Sequence, residues 1–147
     1  MMIRKAAIQD MSWLLDVAIK DMVFNELKIP SYYNRKTIQK IVEKGIKEET
    51  FFIAEKDGIP VGAIGGVLTP HPYNEEVLVL SEQFWYVLPE YRNSSAGARL
   101  LAAFQEKGKD ADEVIMSLLI DSPISFESLE KRGFGMVELS FRKGSKW

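Results

Sequence analysis

The sequence of 147 residues contains no cysteine and a single histidine, His71. Without cysteine the chain can form no disulfide, no thiolate ligand for a metal and no cysteine nucleophile. One histidine also argues against a His-rich metal site and against most Ser-His-Asp triads. No apolar run approaches the ~20 residues of a membrane-spanning helix, and the first residues lack the apolar stretch of a signal peptide. We therefore expect a cytoplasmic protein with no metal site and no membrane partner.

The net charge is also small, because 19 Lys and Arg residues nearly balance 21 Asp and Glu residues and leave a formal net charge of -2. So weak a field recruits neither nucleic acid nor acidic lipid by bulk electrostatics, so any anionic ligand must be held by a local site. Hydrophobic residues make up 46% and charged residues 27%, as in ordinary globular proteins. The length is that of one domain, so we expect a single domain over residues 1–147.

Hydrophobic periodicity and turn residues predict the element order β α α β β β α β α β. An apolar stripe, which also includes Asp21, marks the first helix, and Asn34 or Thr37 caps the second. An Asp57-Gly58 turn joins the second and third strands, whereas residues 69–76 read as an exposed loop. The predicted strands cover 3–6, 51–55, 59–68, 77–88, 114–119 and 134–143. The first-helix stripe consists of Trp13, Leu14, Val17, Ala18, Asp21 and Met22.

The second half contains a strand-helix-strand crossover, which requires a parallel pair in a mixed sheet covered by helices on both faces. The third helix begins at Ser94 or Ser95. The fourth helix is predicted over residues 123–132, with Ser122 as its N-cap and Gly133 as its stop. The predicted fold class is therefore α/β (α+β).

The most informative stretch is 87–101, where a strand enters a turn of small residues and then directly a helix. Unpaired backbone N–H groups and the positive end of the helix converge at such a turn, and this geometry binds phosphate or pyrophosphate. A purely structural strand-to-helix turn would also be rich in Ser and Gly. The chain has neither a Walker-type Gly-Lys-Ser/Thr nor a Rossmann glycine set, which argues against a nucleotide-binding α/β domain.

The pattern Val-x-Pro-Glu-Tyr-Arg at 87–92, followed by a small-residue loop and Gly-x-x-Leu-Leu at 97–101, resembles the acyl-CoA-binding motif of the GCN5-related N-acetyltransferase (GNAT) superfamily. Residues 125–134, Ser-Phe-Glu-Ser-Leu-Glu-Lys-Arg-Gly-Phe, resemble a later helix of that family. The chain looks closest to a small phage or bacterial subgroup. The resemblance implies a mixed, mostly antiparallel sheet of six to seven strands flanked by four helices, with a splay between strands four and five.

The resemblance also implies an activity, namely transfer of an acetyl group from acetyl-CoA to a primary amine of a small-molecule or peptide acceptor. The amine would attack directly in a ternary complex. Ser95 stands where the family motif has its first glycine, and it can bind pyrophosphate through its amide if its φ is negative. The implied cofactor-binding residues are Val87, Leu88, Arg92, Asn93, Ser94, Ser95, Ala96, Gly97, Ala98, Arg99 and Ser125. For Arg92 and Arg99 a solvated basic helix start is the alternative.

Proton transfer is where the chain departs most from the family. Leu129 occupies the position of the usual tyrosine acid, so Ser128, Ser125, Tyr86 or a water would have to replace it. Glu82, a charged residue inside an apolar strand, is the candidate base. The alternatives are an exposed Glu82 on a bulge or edge, an exposed helix residue at Ser128 and a core aromatic at Tyr86.

Leu129 and Ser95 also motivate a second function, a catalytically impaired CoA-binding or protein-interaction module of the same fold. Phe141 and Trp147 near the end of the chain suggest a homodimer contact.

Overall fold

The structure, a computed structural model, describes residues 1–122 and 124–144. Pro123, predicted as the first helical residue, and Trp147, predicted at a dimer contact, lie outside the described residues. The chain divides into two compact units, Met1–Ser117 and the segment from Leu118 onward, which are described separately below.

A mixed sheet of five strands forms the centre of the first unit, and its strands lie side by side in chain order. Every neighbouring pair is antiparallel except the last, which is parallel. The predicted mixed, mostly antiparallel sheet is confirmed, although the described residues hold five strands instead of six to seven. The strands are β1 (Met2–Lys5), β2 (Phe51–Lys56), β3 (Ile59–His71), β4 (Asn74–Val87) and β5 (Glu113–Ile115).

The missing strand is the predicted one at 134–143, whose described residues carry no strand. Apolar residues do alternate there, but Val137, Leu139 and Phe141 are 84%, 74% and 91% exposed. Alternation specifies only which face a strand would bury, whereas a strand also needs a neighbour that pairs its N–H and C=O groups. The predicted strand at 114–119 is likewise shorter, since β5 ends at Ile115.

The described residues contain the four predicted helices. The first, α1, is continuous but alternates α-helical Met11–Trp13 and Ile19–Asp21 with π-helical Leu14–Ala18 and Met22–Glu26. The others are α2 (Arg35–Glu48) and α3 (Ala96–Lys107) in the first unit and α4 (Phe126–Glu130) in the second. Short 3-10 turns occur at Ile8–Asp10, Pro30–Tyr32, Pro89–Tyr91 and Gly108–Asp110.

Helices α1 and α2 pack on one face of the sheet. The predicted α1 stripe is partly wrong, because Val17 is 38% exposed whereas Leu15 and Ile19 are buried. The prediction assumed the α-helical period throughout, and the wider π turns rotate the side chains away from it. The core on this face includes Leu14, Leu15, Ala18, Ile19, Val23, Val42, Phe51, Ile53, Ala63, Phe84 and Tyr86.

Helix α3 packs on the other face. A Cβ built on Gly62 would lie 3.3 Å from Leu100 Cδ1, and one on Gly66 would lie 2.7 Å from Phe104 Cζ. The missing side chains at these glycines of β3 therefore allow a close approach. It places α3 directly against the strands that carry the candidate site.

Tight turns connect β2 to β3 and β3 to β4. Asp57 and Gly58 have φ of 54° and 78°, as a two-residue hairpin turn requires, so the predicted β2–β3 hairpin is confirmed. The predicted loop at 69–76 is wrong, because His71 pairs with Asn74 and both strands continue nearly to the tip. Proline and polar residues suggested a loop, but β2 pairs with β3 only as far as Gly65, so Pro70 lies in a part of β3 that has a partner strand on one side only and tolerates a missing N–H.

Candidate functional site

Strand β4 carries a bulge near its middle. Gly65 pairs with Phe84 and Gly66 pairs with Glu82, so Gln83 is the extra residue. On the other edge, β4 pairs with β5 only from Val79 to Ser81, after which β5 ends and β4 continues to Val87. The predicted splay between strands four and five lies at this point. Beyond it, the polar groups on this edge of β4 have no partner strand within the described residues.

Glu82 lies where the two strands separate. Its Oε1 accepts a hydrogen bond of 3.1 Å from the Ser117 backbone N–H, which fixes the carboxyl group beside the splay. Burial raises its pKa from 4.5 to about 7, and the Ser117 hydrogen bond acts in the opposite direction. A carboxyl group with such a pKa can accept a proton near neutral pH.

The segment after β4 forms a short turn and then the first turn of α3. Ser94 Oγ donates to the Tyr91 C=O at 2.5 Å and accepts from the Ala96 N–H at 3.2 Å. Ser95 has φ of -77° and ψ of 0°. The left-handed conformation that would penalise a serine here is therefore absent, so Ser95 meets the backbone condition set for a serine at the position of the family glycine.

The start of α3 presents backbone amides to an anion. The Arg99 N–H bonds to the Ser95 C=O at 3.0 Å. The amides of Gly97 and Ala98 precede this bond and so have no partner within the helix. A Cβ on Gly97 would lie 3.9 Å from both Trp85 and Val87, which is ordinary contact. Uncrowded amides at the positive end of a helix fit the pyrophosphate of an acyl-CoA.

The two arginines near this turn bond to protein groups. Arg92 Nε donates to the Val87 C=O at 2.8 Å, and its Nη2 lies 2.6 Å from Glu26 Oε1. Arg99 Nη1 donates to the Met1 C=O at 2.8 Å. Both side chains are predicted to bind phosphate, but in this structure each joins parts of the chain that are distant in sequence.

Tyr86 lies on the α1 side of β4 and is 3% exposed. Its hydroxyl donates a hydrogen bond to Asp21 on α1, and burial together with this bond raises its pKa above the usual range. Asp21 and Glu26 are the residues of this region that the sequence prediction missed. The available signal was Asp21 itself, a carboxylate on an otherwise apolar helix stripe.

The remaining predicted site residues belong to the second unit. Helix α4 begins at Phe126, with Ser125 as its cap in place of Ser122, because the Ser125 side chain accepts from the Ser128 N–H. The two hydroxyl oxygens are 2.9 Å apart. Gly133 has φ of 93° and ends the helical turn, as predicted.

Comparison with known proteins identifies the family. The sequence profile of the acetyltransferase (GNAT) family matches residues 20–134. The chain belongs to this family. It is accordingly an acetyl-CoA-dependent N-acyltransferase, and the match covers the β4 bulge, the loop and α3. No curated protein sequence matches the chain.

Solved structures support the fold of this GNAT protein. The chain is similar to a transcriptional regulator from Bacillus halodurans C-125, with 15% identity, 97% and 98% of the two chains covered and a TM-score of 0.70. A probable acetyltransferase gives 17% identity, 99% and 96% coverage and a TM-score of 0.70. AAC(6')-Iy, solved in complex with the bisubstrate analog CoA-S-monomethyl-acetylneamine, gives 19% identity, 97% coverage of both chains and a TM-score of 0.69. No helix among residues 1–122 and 124–144 is long and apolar enough to span a bilayer.

Proposed function

We propose that this GNAT protein transfers an acetyl group from acetyl-CoA to a primary amine of a small molecule or peptide. Acetyl-CoA supplies the acetyl group as a thioester, which the amine attacks directly in a ternary complex. The observation that carries the proposal is Glu82 at the splay of β4 and β5, on the same strand that leads into the amide loop. One strand thus joins a proton acceptor to an anion site.

The loop holds the donor through backbone groups. The amides from Asn93 to Ala98 bind the pyrophosphate, supported by the negative φ of Ser95 and by the free first turn of α3. The end of β4, at Val87 and Leu88, binds the pantetheine arm, supported by the edge that β5 leaves uncovered. Side-chain charge contributes little here, because Arg92 and Arg99 bond to protein groups.

Glu82 removes the proton from the acceptor. An alkylamine has a pKa of about 10 and arrives as an ammonium ion, so it must lose a proton before it can attack. A carboxyl group whose pKa is raised to about 7 is a stronger base than an ordinary glutamate and is still largely ionised above neutral pH. A bridging water between Glu82 and the amine would serve the same role.

The proton for the departing thiolate is assigned to Ser128, whose hydroxyl oxygen lies 2.9 Å from that of Ser125. Tyr86 is the weaker choice, because its hydroxyl proton is held by Asp21 and its pKa is raised by burial. Leu129, with no ionisable group, takes no part. Ser125 acts as the cap of α4.

The test combines binding with turnover. Wild-type protein is titrated with acetyl-CoA by calorimetry, and thiol release is then followed with neamine, spermidine, L-lysine and an alanine-initiated peptide. We expect saturable binding and release above the buffer blank with at least one amine. Glu82→Gln is expected to lower kcat at least about 100-fold with little change in acetyl-CoA affinity, a loss typical of removing a general base.

The matched control is Glu106→Gln, which removes a carboxylate that is 70% exposed on α3. This variant should keep wild-type rates. Binding without turnover for every amine would favour the CoA-binding or protein-interaction module that Leu129 suggests. Turnover that survives Glu82→Gln would refute the assigned base.

A further inference from the structure

The guanidinium group of Arg92 lies on the α1 side of the sheet. It stacks over the Tyr86 ring at 5.4 Å from the ring centroid and also bonds to the Val87 C=O and to Glu26. Neighbouring side chains on a strand point to opposite faces, and Val87 lies near Gly97 of α3 while Tyr86 lies in the core with α1. The charged group of Arg92 therefore makes its contacts on the α1 side of β4. Helix α3, which follows the anion-binding loop, packs on the opposite side.

A π turn in α1 brings two carboxylates of that helix to Tyr86 and Arg92. Asp21 accepts the Tyr86 hydroxyl and Glu26 accepts Arg92. At the ~100° per residue of an α-helix, residues five apart would be about 140° apart and could not both face β4. Between them the helix is π-helical, and the Leu27 N–H bonds to the Met22 C=O at 2.9 Å. The wider turn brings the two carboxylates onto one face, and π turns occur frequently at functional sites.

We propose that Arg92 is a positioning residue of the acetyl transfer, one that fastens the end of α1 to the end of β4. It would not be a phosphate ligand. The end of α1 leads into the turn Pro30–Tyr32, where Tyr32 is 64% exposed. The inference rests on the proposed function, in which the donor occupies the loop after β4, and it adds that the acceptor lies beside the end of α1. Arg92 then sets the distance between the two substrates.

Arginine is suited to this role because its planar fork reaches two acceptors at once while its face stacks on an aromatic ring. Lysine keeps the charge but loses this combination. Arg92→Lys and Arg92→Gln are therefore both expected to impair the enzyme, whereas a phosphate ligand would be largely replaced by lysine.

The experiment measures three quantities on Arg92→Gln, Arg92→Lys and wild type. These are the Kd of acetyl-CoA by calorimetry, kcat/KM for the best acceptor of the panel neamine, spermidine, L-lysine and alanine-initiated peptide, and hydrogen exchange of the segment 22–33. We expect the Kd to stay within about 2-fold and kcat/KM to fall at least 10-fold. Exchange should accelerate at Leu27 and Ile29, whose amides bond within the turn of α1.

Two further variants separate positioning from loss of charge or of fold. Glu26→Gln removes the partner, so the double variant with Arg92→Gln should be no worse than Arg92→Gln alone. Arg35→Gln removes another arginine-carboxylate pair of α1, the exposed one with Asp16 at 2.9 Å, and should leave all three quantities unchanged.

Each outcome decides the proposal. A Kd raised at least 10-fold in Arg92→Gln and restored in Arg92→Lys would overturn it in favour of a phosphate ligand. Wild-type values of all three quantities in Arg92→Gln would also overturn it, while leaving the proposed function intact. Wild-type protein that acetylates none of the amines would fail the proposed function and remove the positioning role with it.

Discussion

Replacing Glu82 with glutamine should stabilise the protein in a pH-dependent way. The pKa of the folded carboxyl group is raised from 4.5 to about 7, mainly by burial. Below pH 4.5 the group is protonated in both the folded and the unfolded state and contributes nothing. As pH rises from 4.5 to about 7, the carboxyl group ionises first in the unfolded state, so the free energy of unfolding of the wild type falls. The loss is complete above the pKa of the folded state.

The magnitude follows from the two pKa values. At about 1.36 kcal/mol per pKa unit, the rise from 4.5 to about 7 corresponds to about 3 kcal/mol at high pH. Because Glu82 is only partly buried, solvent screening reduces this, and we expect about 2 kcal/mol between pH 5 and pH 8. Glutamine keeps an oxygen that can accept from the Ser117 N–H but does not titrate. The free energy of unfolding of Glu82→Gln therefore lacks this dependence on pH.

Urea unfolding followed by tryptophan fluorescence at pH 5, 6, 7 and 8 measures the difference. The free energy of unfolding of Glu82→Gln should exceed that of wild type by an amount that grows with pH, whereas Glu106→Gln should run parallel to wild type. Parallel curves for Glu82→Gln as well would contradict the raised pKa, because they would show that the carboxyl group is solvated. A solvated Glu82 would have the pKa of an ordinary glutamate and would be a weaker base than the proposed function assigns to it.

Three substitutions test the packing around the site. Gly66→Ala should cost about 3 kcal/mol or more in urea unfolding, because its Cβ would lie 2.5 Å from the Ser81 carbonyl oxygen. Gly97→Ala should leave both the unfolding free energy and the acetyl-CoA Kd nearly unchanged, since its nearest contacts are at 3.9 Å, and a 10-fold rise in Kd would contradict this. Thr50→Val should cost about 1–2 kcal/mol in thermal unfolding, because the buried hydroxyl donates to the Gly66 C=O at 2.7 Å; an unchanged Tm would show that the bond contributes nothing.

Local chemistry made several elements predictable from the sequence. The Asp57-Gly58 turn can only reverse the chain, because both residues adopt positive φ, and Asn34 caps α2 by accepting from the Thr37 N–H at 3.0 Å. The strand-loop-helix at 87–101 was predictable for the same reason. By contrast, the strand expected at 134–143 depends on a neighbouring strand, which alternation within a segment cannot specify.

In the candidate site too, features set by local sequence were predictable and features set by distant residues were not. Backbone features, such as the amides of the loop, depend on residues within a few positions, so the motif was enough to predict them, whereas it left the sign of φ at Ser95 open. The contacts of Arg92 depend on Glu26, which is 66 residues away in sequence, and on a π turn that no simple hydrophobic period reveals. Side-chain roles at this site are thus set by tertiary packing.

The scarcity of net charge and the arrangement of the arginines have a common explanation. A chain of net charge -2 cannot hold a polyanionic donor through its overall field, and Arg92 and Arg99 bond to protein oxygens at 2.8 Å. Backbone amides at a helix start need no free cation, since their dipoles are fixed by the helix itself and cost no reorganisation when an anion binds. The arginines are consequently available to organise the protein, Arg99 at the first residue of the chain and Arg92 between α1 and β4. In the proposed function, recognition of the donor therefore depends on the backbone, and the charged side chains near the loop serve to position the acceptor.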